Sequence, residues 1–453
     1  MHKVKIILAG CLVLLASACR KYVEIPSQQE RVLKRTSDYQ SLLYSTTNIE
    51  PGYFYPIYAA DEVGSDQATW QNNLFLTNAN VYTWSESFFT STQEDNDWSS
   101  LYKQIYICNT VVTGVMGSEE GTDLQKRSAL ASALVHRAFA YYTLVNIYAK
   151  QYDAATAATD PGVPLLVTTY LFADLTRASV QKVYDQILAD LNQALPDLTD
   201  LPDFNTNPSK VAAYALLART HLQMRHFADA ERYADLALSL QNTLLDLNAY
   251  IAAPNTMPLK LRNPEEIFFK KASQFASSIP LTAKVLSLYD QKDLRYAIYT
   301  TDGTKISYSN FTGRGYNRQN IISDGIYIGP NVPEMMLIKA ECEARAGNVT
   351  AALSQVNLLR KKRFTQADYY DLTAATANDA LRTVIDERSR EFIGRGFRWF
   401  DQRRLAKDEG LIGTVTRTFK GQTYTLKPGD NRYVFPIADK YIIQNPEIKQ
   451  NPR

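Results

Sequence analysis

Two stretches of this chain repeat one helical arrangement at one spacing, and that repetition restricts the fold more than any other feature. Ser209 to Leu240 predicts two helices around a break near Arg225–His226, with Ala218 in the first and Ala230 in the second. Pro333 to Arg363 predicts two helices around Gly347-Asn348, with Ala340 and Ala352 in the corresponding places. The alanines lie twelve residues apart both times. Small residues at facing positions let antiparallel helices pack closely, which is the physics of tetratricopeptide repeats. Both copies lack the repeat's Trp, and its second-helix aromatic is Ala234 in one and Val356 in the other. The repeats are divergent, with a plain antiparallel hairpin as the alternative. Three further runs have helical spacing: Glu94 to Met116, Leu124 to Tyr148, and Ala178 to Leu195, the last stopped by Pro196.

The N-terminus has a different character. His2, Lys3 and Lys5 precede an apolar run from Ile6 to Leu15, then Ala16-Ser17-Ala18-Cys19. A short basic region, a short apolar core and small residues describe a signal peptide over residues 1–18. The run is too short for a membrane-spanning helix, which needs about 20 apolar residues. A cysteine straight after small residues also reads as a lipobox, with the Cys19 thiol carrying diacylglycerol; cleavage without lipid is the alternative. Acyl chains would hold the protein to a bilayer with no spanning helix. Residues 19–35 then read as a polar tether. Removal of Lys3 and Lys5 turns 49 basic against 47 acidic side chains into an even balance. That balance offers no electrostatic footprint for nucleic acid. Cys108 and Cys342 remain as thiols on helical patterns, buried and free or joined to each other. Four histidines leave little material for a metal centre, and neither metal nor cofactor is expected.

Between the helical units lie irregular, aromatic-rich insertions, about 52–89 and 248–330. Alternation around Asp302-Gly303 predicts a two-residue hairpin, and Thr414–Phe419 with Gln422–Leu426 around Lys420-Gly421 predicts a second. The fold class is mainly α: a tetratricopeptide-like helix-pair scaffold with an irregular half rich in loops and β-hairpins.

Several blocks in order resemble the SusD/RagB family of outer-membrane lipoproteins. They are Trp98-Ser-Ser-Leu101-Tyr102-Lys-Gln-Ile105 with Asn109, and Arg137-Ala-Phe-Ala-Tyr141 through Tyr148 followed by Gly162-Val-Pro164-Leu165. Ala213-Tyr-Ala-Leu216-Leu217-Ala218-Arg219 and the unit from Glu334 to Lys362 follow. The closing residues Phe435-Pro436-Ile437, Asn445-Pro446 and Gln450-Asn451-Pro452 complete the series. A sixth block, Glu387-Arg388 to Arg404, departs at Arg395 and Gln402, where altered local polar contacts are expected. The resemblance implies a single SusD-like domain over 36–453. It also implies a non-catalytic lipoprotein that captures nutrient and sits as a lid on a SusC-like TonB-dependent transporter. Family members often carry acids just after the lipid cysteine, whereas Arg20-Lys21 follow here; outer-membrane residence is expected, with the outward leaflet the favoured one.

Aromatic rings stack on the apolar faces of sugars, and Tyr hydroxyls add directed hydrogen bonds. The chain holds 29 Tyr, 18 Phe and 4 Trp, so the question is which rings are free. Trp84, Trp98 and Trp399 lie in or beside helical blocks, and Tyr53, Phe54, Tyr55 and Tyr58 read as local core. Trp70 stands in a polar loop and is the leading candidate for ligand contact. Tyr308 and Tyr316 are the candidates from a tyrosine-dense window over 296–327, with Arg314 and Arg318 as polar partners; other tyrosines there serve cross-strand pairs. Hydrolase, zinc-protease, nucleotide-loop and dinucleotide motifs are absent, so no enzyme is expected. Asp61-Glu62 and Glu265-Glu266 are acid pairs of a kind that chance supplies, and His221 and His226 fall near a repeat turn. The expected ligand is an oligosaccharide. Peptide cargo on the two arginines, or a periplasm-facing repeat scaffold, are the alternatives.

Overall fold

The computed structural model describes residues 33–276, 278–306 and 310–453. The signal peptide, Cys19 and Tyr308 lie outside the described residues. Six of the long helices begin where a side chain satisfies the free amides of the first turn. Asp95 accepts from Asp97 and Trp98 N–H at the start of α1 (Asn96–Gly114). Thr122 and Gln125 form a reciprocal cap on α2 (Asp123–Tyr148), and Ser179 caps α3 (Val180–Ala194). Ser209 caps α4 (Lys210–Met224), which ends at Arg225 in the left-handed region and turns at once into α5 (Phe227–Leu240). Asn331 caps α6 (Val332–Arg345), Gly347 at φ 90° breaks it from α7 (Val349–Arg360), and Thr376 caps α8 (Ala377–Glu391).

These helices pack in sequence: α1 on α2, α2 on α3, α4 on α5, α5 on α6, and α6 on both α7 and α8. Ala218, Ala230, Ala340 and Ala352 are all fully buried, as close helix packing requires. The fold is the mainly helical, helix-pair architecture that the repeat spacing predicts. Among the described residues no helix is long and apolar enough to cross a membrane. Cys108 and Cys342 are both free and buried.

The strands form three small antiparallel pairs: β1 (Pro161–Pro164) with β2 (Arg177–Ser179), β3 (Thr300–Asp302) with β4 (Arg314–Tyr316), and β5 (Val415–Phe419) with β6 (Gln422–Leu426). In the last pair Lys420 and Gly421 both take positive φ, and Phe419 faces Gln422 across the tight turn the sequence predicts. The hairpin expected at Asp302-Gly303 is different. The Asp302 carboxylate accepts from Thr304 N–H at 2.9 Å, which pulls the chain into a 3-10 turn over Gly303–Lys305. The strand partner is therefore not the adjoining segment but β4, with Thr300 opposite Tyr316.

One apolar core runs through both halves, taking in Tyr53, Phe54, Tyr55 and Tyr58 along with the helical array. A buried charge network joins them as well. Arg295 of the irregular half reaches Asp293, Glu387 and Glu391 at 2.7–2.8 Å, while Arg363 binds Glu265 and Glu391 at 2.7 and 2.8 Å. Against the upward push of burial, Arg363 and Arg295 hold Glu391 down to about 2, and Arg295, Arg390 and Arg360 do the same for Glu387. Where the sixth sequence block departs, Arg395 donates to Tyr327 O at 2.5 Å, and Gln402 accepts from Asp61 N–H and reaches the Tyr433 hydroxyl.

Candidate functional site

A cleft of about 320 Å³ opens in the irregular half. Its near wall is the short helix Ala68–Asn72, the turn that follows, and the helix Leu76–Tyr82. Its far wall is the segment around Gln274-Phe275, and Phe54, Tyr55 and Tyr58 form part of its lining. The size is at the low end for small-molecule sites, enough for the end of an oligosaccharide.

Three polar clamps hold these pieces, the first of them buried. Asp97, at the first turn of α1, accepts from Phe54 and Tyr55 N–H through one oxygen and from the Ser273 hydroxyl at 2.6 Å through the other. It thus ties the floor to the residue before Gln274. Burial pushes the Asp97 carboxyl up, and these donors pull it back. Gln71 bonds Ser65 O and Thr418 O and accepts from Lys420 N–H, fixing the near wall to the β5–β6 hairpin. Gln67 exchanges two hydrogen bonds with the Thr312 backbone, at 2.7 and 2.8 Å.

The lining divides into rings and amides. Phe75 and Phe275 are 79% and 69% exposed, which is unusual for phenylalanine. Trp70 is fully buried, edge-on to Tyr82 at 5.1 Å, yet it contributes to the lining. Its indole Nε1–H has no acceptor among the described residues, and Gln274 Nε2, against the Tyr55 phenol, lacks a well-aligned one. A buried donor without an acceptor is costly, of order 1–3 kcal/mol, and both of these lie behind the cleft surface. Asn73, Asn78, Gln93 and Asn96 add further amides, and among the described residues no Asp, Glu, Lys or Arg lines the cleft.

Of the described residues singled out from sequence as ligand contacts, Trp70 alone belongs to this cleft. Tyr316 is 2% exposed, with its ring against the Cα of Gly394, so it is core. Arg318 is buried between the rings of Tyr299 and Tyr327, with Glu266 contributing to its field. Arg314 donates to Thr300 Oγ1, Thr300 O and Tyr296 O and lies 4.2 Å over the Tyr296 ring. Neither guanidinium is presented to a ligand. The acid pairs are structural too. Asp61 pairs with Arg398 at 2.8 Å, and Glu62 is buried with its carboxyl pushed up to about 8 by desolvation and the Asp61 charge. Glu265 pairs with Arg363, and burial pushes Glu266 up to about 7. Sequence reasoning missed Phe75, Phe275 and the amides around them. The available trace was the run Gln71-Asn72-Asn73-Leu74-Phe75-Leu76, where apolar residues follow amides without helical spacing.

A helical-repeat scaffold carrying an aromatic, amide-lined cleft on an irregular half suits a carbohydrate-binding protein. The comparisons agree. Residues 26–222 match a family model described as starch-binding and associating with the outer membrane, and residues 289–453 match the SusD family model. The chain belongs to the SusD/RagB family. SusD-like protein P38 of Formosa agariphila is 23% identical over 429 residues, covering 80% of each chain. SusD-like protein P2 of the same organism is 24% identical over 427 residues, covering 78% of this chain and 79% of the relative. Among solved structures, a SusD superfamily protein from Bacteroides thetaiotaomicron superposes with a TM-score of 0.73 at 18% identity, covering 92% of this chain and all of that one. Surface glycan-binding protein A from Bacteroides fluxus gives 0.69 at 17% identity, covering 92% of this chain and 98% of the other.

Proposed function

We propose that this chain is a non-catalytic, lipid-anchored protein of the outer-membrane surface that binds a neutral oligosaccharide in the cleft. From there it delivers the sugar, as a lid, to a SusC-like TonB-dependent transporter. The observation that carries the ligand class is the lining itself: exposed rings and side-chain amides, with no charged side chain among the described residues. Pyranose C–H faces stack on rings, and sugar hydroxyls both donate to and accept from amides. A uronate, a sulfated sugar or a peptide terminus would ask for a cation or a carboxylate that the cleft does not offer. The peptide reading rested on Arg314 and Arg318, and both guanidiniums are engaged inside the protein. Family membership supports sugar binding over catalysis, and the buried acid pairs fit that reading. The lid role and anchoring through Cys19 rest on the family and on the N-terminal pattern.

Calorimetric titration of a panel of neutral, uronate-containing and sulfated oligosaccharides and of peptides tests the ligand class. Micromolar to millimolar binding confined to a neutral glycan is expected; binding confined to acidic glycans or peptides refutes it. Co-purification of a β-barrel transporter, and release of the protein by protease treatment of intact cells, test the location. Resistance to that treatment would favour the periplasm-facing scaffold.

A further inference from the structure

At the break between α4 and α5, far from any role in the cleft, three metal-ligating side chains converge. His221 sits in the last turn of α4, His226 at the start of α5, and Asp229 in the first turn of α5. The left-handed Arg225 makes the turn, and His226 N–H donates to His221 O at 2.9 Å, so the imidazoles come to one side. One donor atom from each of the three residues lies within 4.8 Å of the others. We propose that His221, His226 and Asp229 form a binding site for a late first-row divalent cation, Zn²⁺ or Co²⁺, that bridges the two helices of this repeat.

Three observations on the molecule support it. His221 Nδ1 is buried and has no hydrogen-bond partner among the described residues, an orphan that a metal would satisfy. The His221 ring is held face to face with Tyr233, at 5.4 Å and 10°, so its direction is fixed before any ion arrives. The third donor is a carboxylate with an oxygen to spare: Asp229 Oδ1 takes Arg232 at 3.0 Å. The other nearby cation, Arg225, is turned away onto Asp408.

The distances can close. Metal–donor bonds of about 2.0–2.2 Å put tetrahedral donors about 3.3 Å apart. His226 and Asp229 need to move by about 1.5 Å at most from their present spacing, and His226 is exposed and free to do so. Two imidazoles and one carboxylate suit zinc and its neighbours, whereas calcium and magnesium prefer all-oxygen sets. Three protein donors leave a fourth position for water.

The test is calorimetric titration of Zn²⁺ into the untagged protein, with Co²⁺ visible absorption as a report of coordination. One equivalent should bind. His226→Ala and Asp229→Asn, both outside the core, should each weaken it by tenfold or more while leaving the metal-free melting temperature unchanged. Arg232→Gln removes the competing ion pair and should tighten binding. Absence of binding to the unmodified protein, or retention of affinity by either ligand variant, overturns the proposal.

Discussion

Phe75→Ala and Phe275→Ala give the sharpest test of the cleft, because exposure separates function from folding at these two positions. At 79% and 69% exposed, neither ring contributes much to the core, so each truncation should change stability by no more than about 0.5 kcal/mol. A sugar face laid on either ring would cover about 60 Å² of it, worth about 1.5 kcal/mol at 25 cal/mol/Å². The directed ring contact adds about 0.5 kcal/mol. Losing about 2 kcal/mol weakens affinity about 30-fold. Calorimetry on a glycan already shown to bind reads the affinity, and thermal denaturation of the same samples reads the fold. If the rings hold two different sugar units, the double variant should lose the sum; if they sandwich one unit, it should lose less. Unchanged affinity in both single variants, with unchanged melting, would refute the assignment of this cleft. Trp70→Ala is a poorer probe, since removing a fully buried tryptophan costs about 3–5 kcal/mol and confounds the two readouts.

Trp70→Phe keeps the buried ring and removes the indole N–H. Because that N–H is buried and without an acceptor among the described residues, glycan affinity should be unaltered by calorimetry, and a marked loss would mean that a rearrangement brings Nε1 to the ligand. Glu391→Gln takes the shared carboxylate from Arg363 and Arg295 and should cost about 3–5 kcal/mol in chemical denaturation. Because Glu387, Glu391 and Asp401 are held down to about 2, their stabilisation is complete above about pH 4.5 and drains away as pH falls from 4.5 toward 2. Glu62 has the opposite sign. Its folded form keeps a proton up to about pH 8, so it subtracts stability as pH rises from about 4.5 to 8. Glu62→Gln should flatten that decline in melting scans from pH 5 to 9, and a decline of undiminished slope would refute the role.

The helical half was legible because its causes are local. Caps such as Thr122, Ser209 and Thr376, small residues at Ala218 and Ala340, and breaks at Arg225 and Gly347 act within a few residues of where they stand. The β5–β6 hairpin was legible for the same reason, two residues in the left-handed region. The β3–β4 pair was not, because one carboxylate, Asp302, caps Thr304 N–H and spoils the two-residue turn that alternation suggests. Tyr316 misled for a different reason. Its neighbours Asn317 and Asn320 are polar, but its own ring fills space that a glycine at φ 71°, Gly394, leaves open nearly eighty residues downstream. No local pattern carries that information.

The cleft is the extreme case of the same physics. Its rings come from residues 54–58, 70–75 and 275, and Asp97, which ties the floor to the far wall, reads in sequence as an ordinary first-turn acid of a helix. Only in three dimensions does its second oxygen reach Ser273 and fix the far wall. The division of labour has a consequence for ligand choice. Asp97, Gln71 and Gln67 bind backbone or a neighbouring hydroxyl behind the surface, so they hold the walls whatever side chains the walls display. Phe75, Asn78 and Phe275 can then change without disturbing those clamps, because their side chains make no hydrogen bond to the rest of the described residues. A scaffold built in this way can exchange one glycan for another by substitutions in a short stretch of exposed chain, at little cost to the fold that carries it.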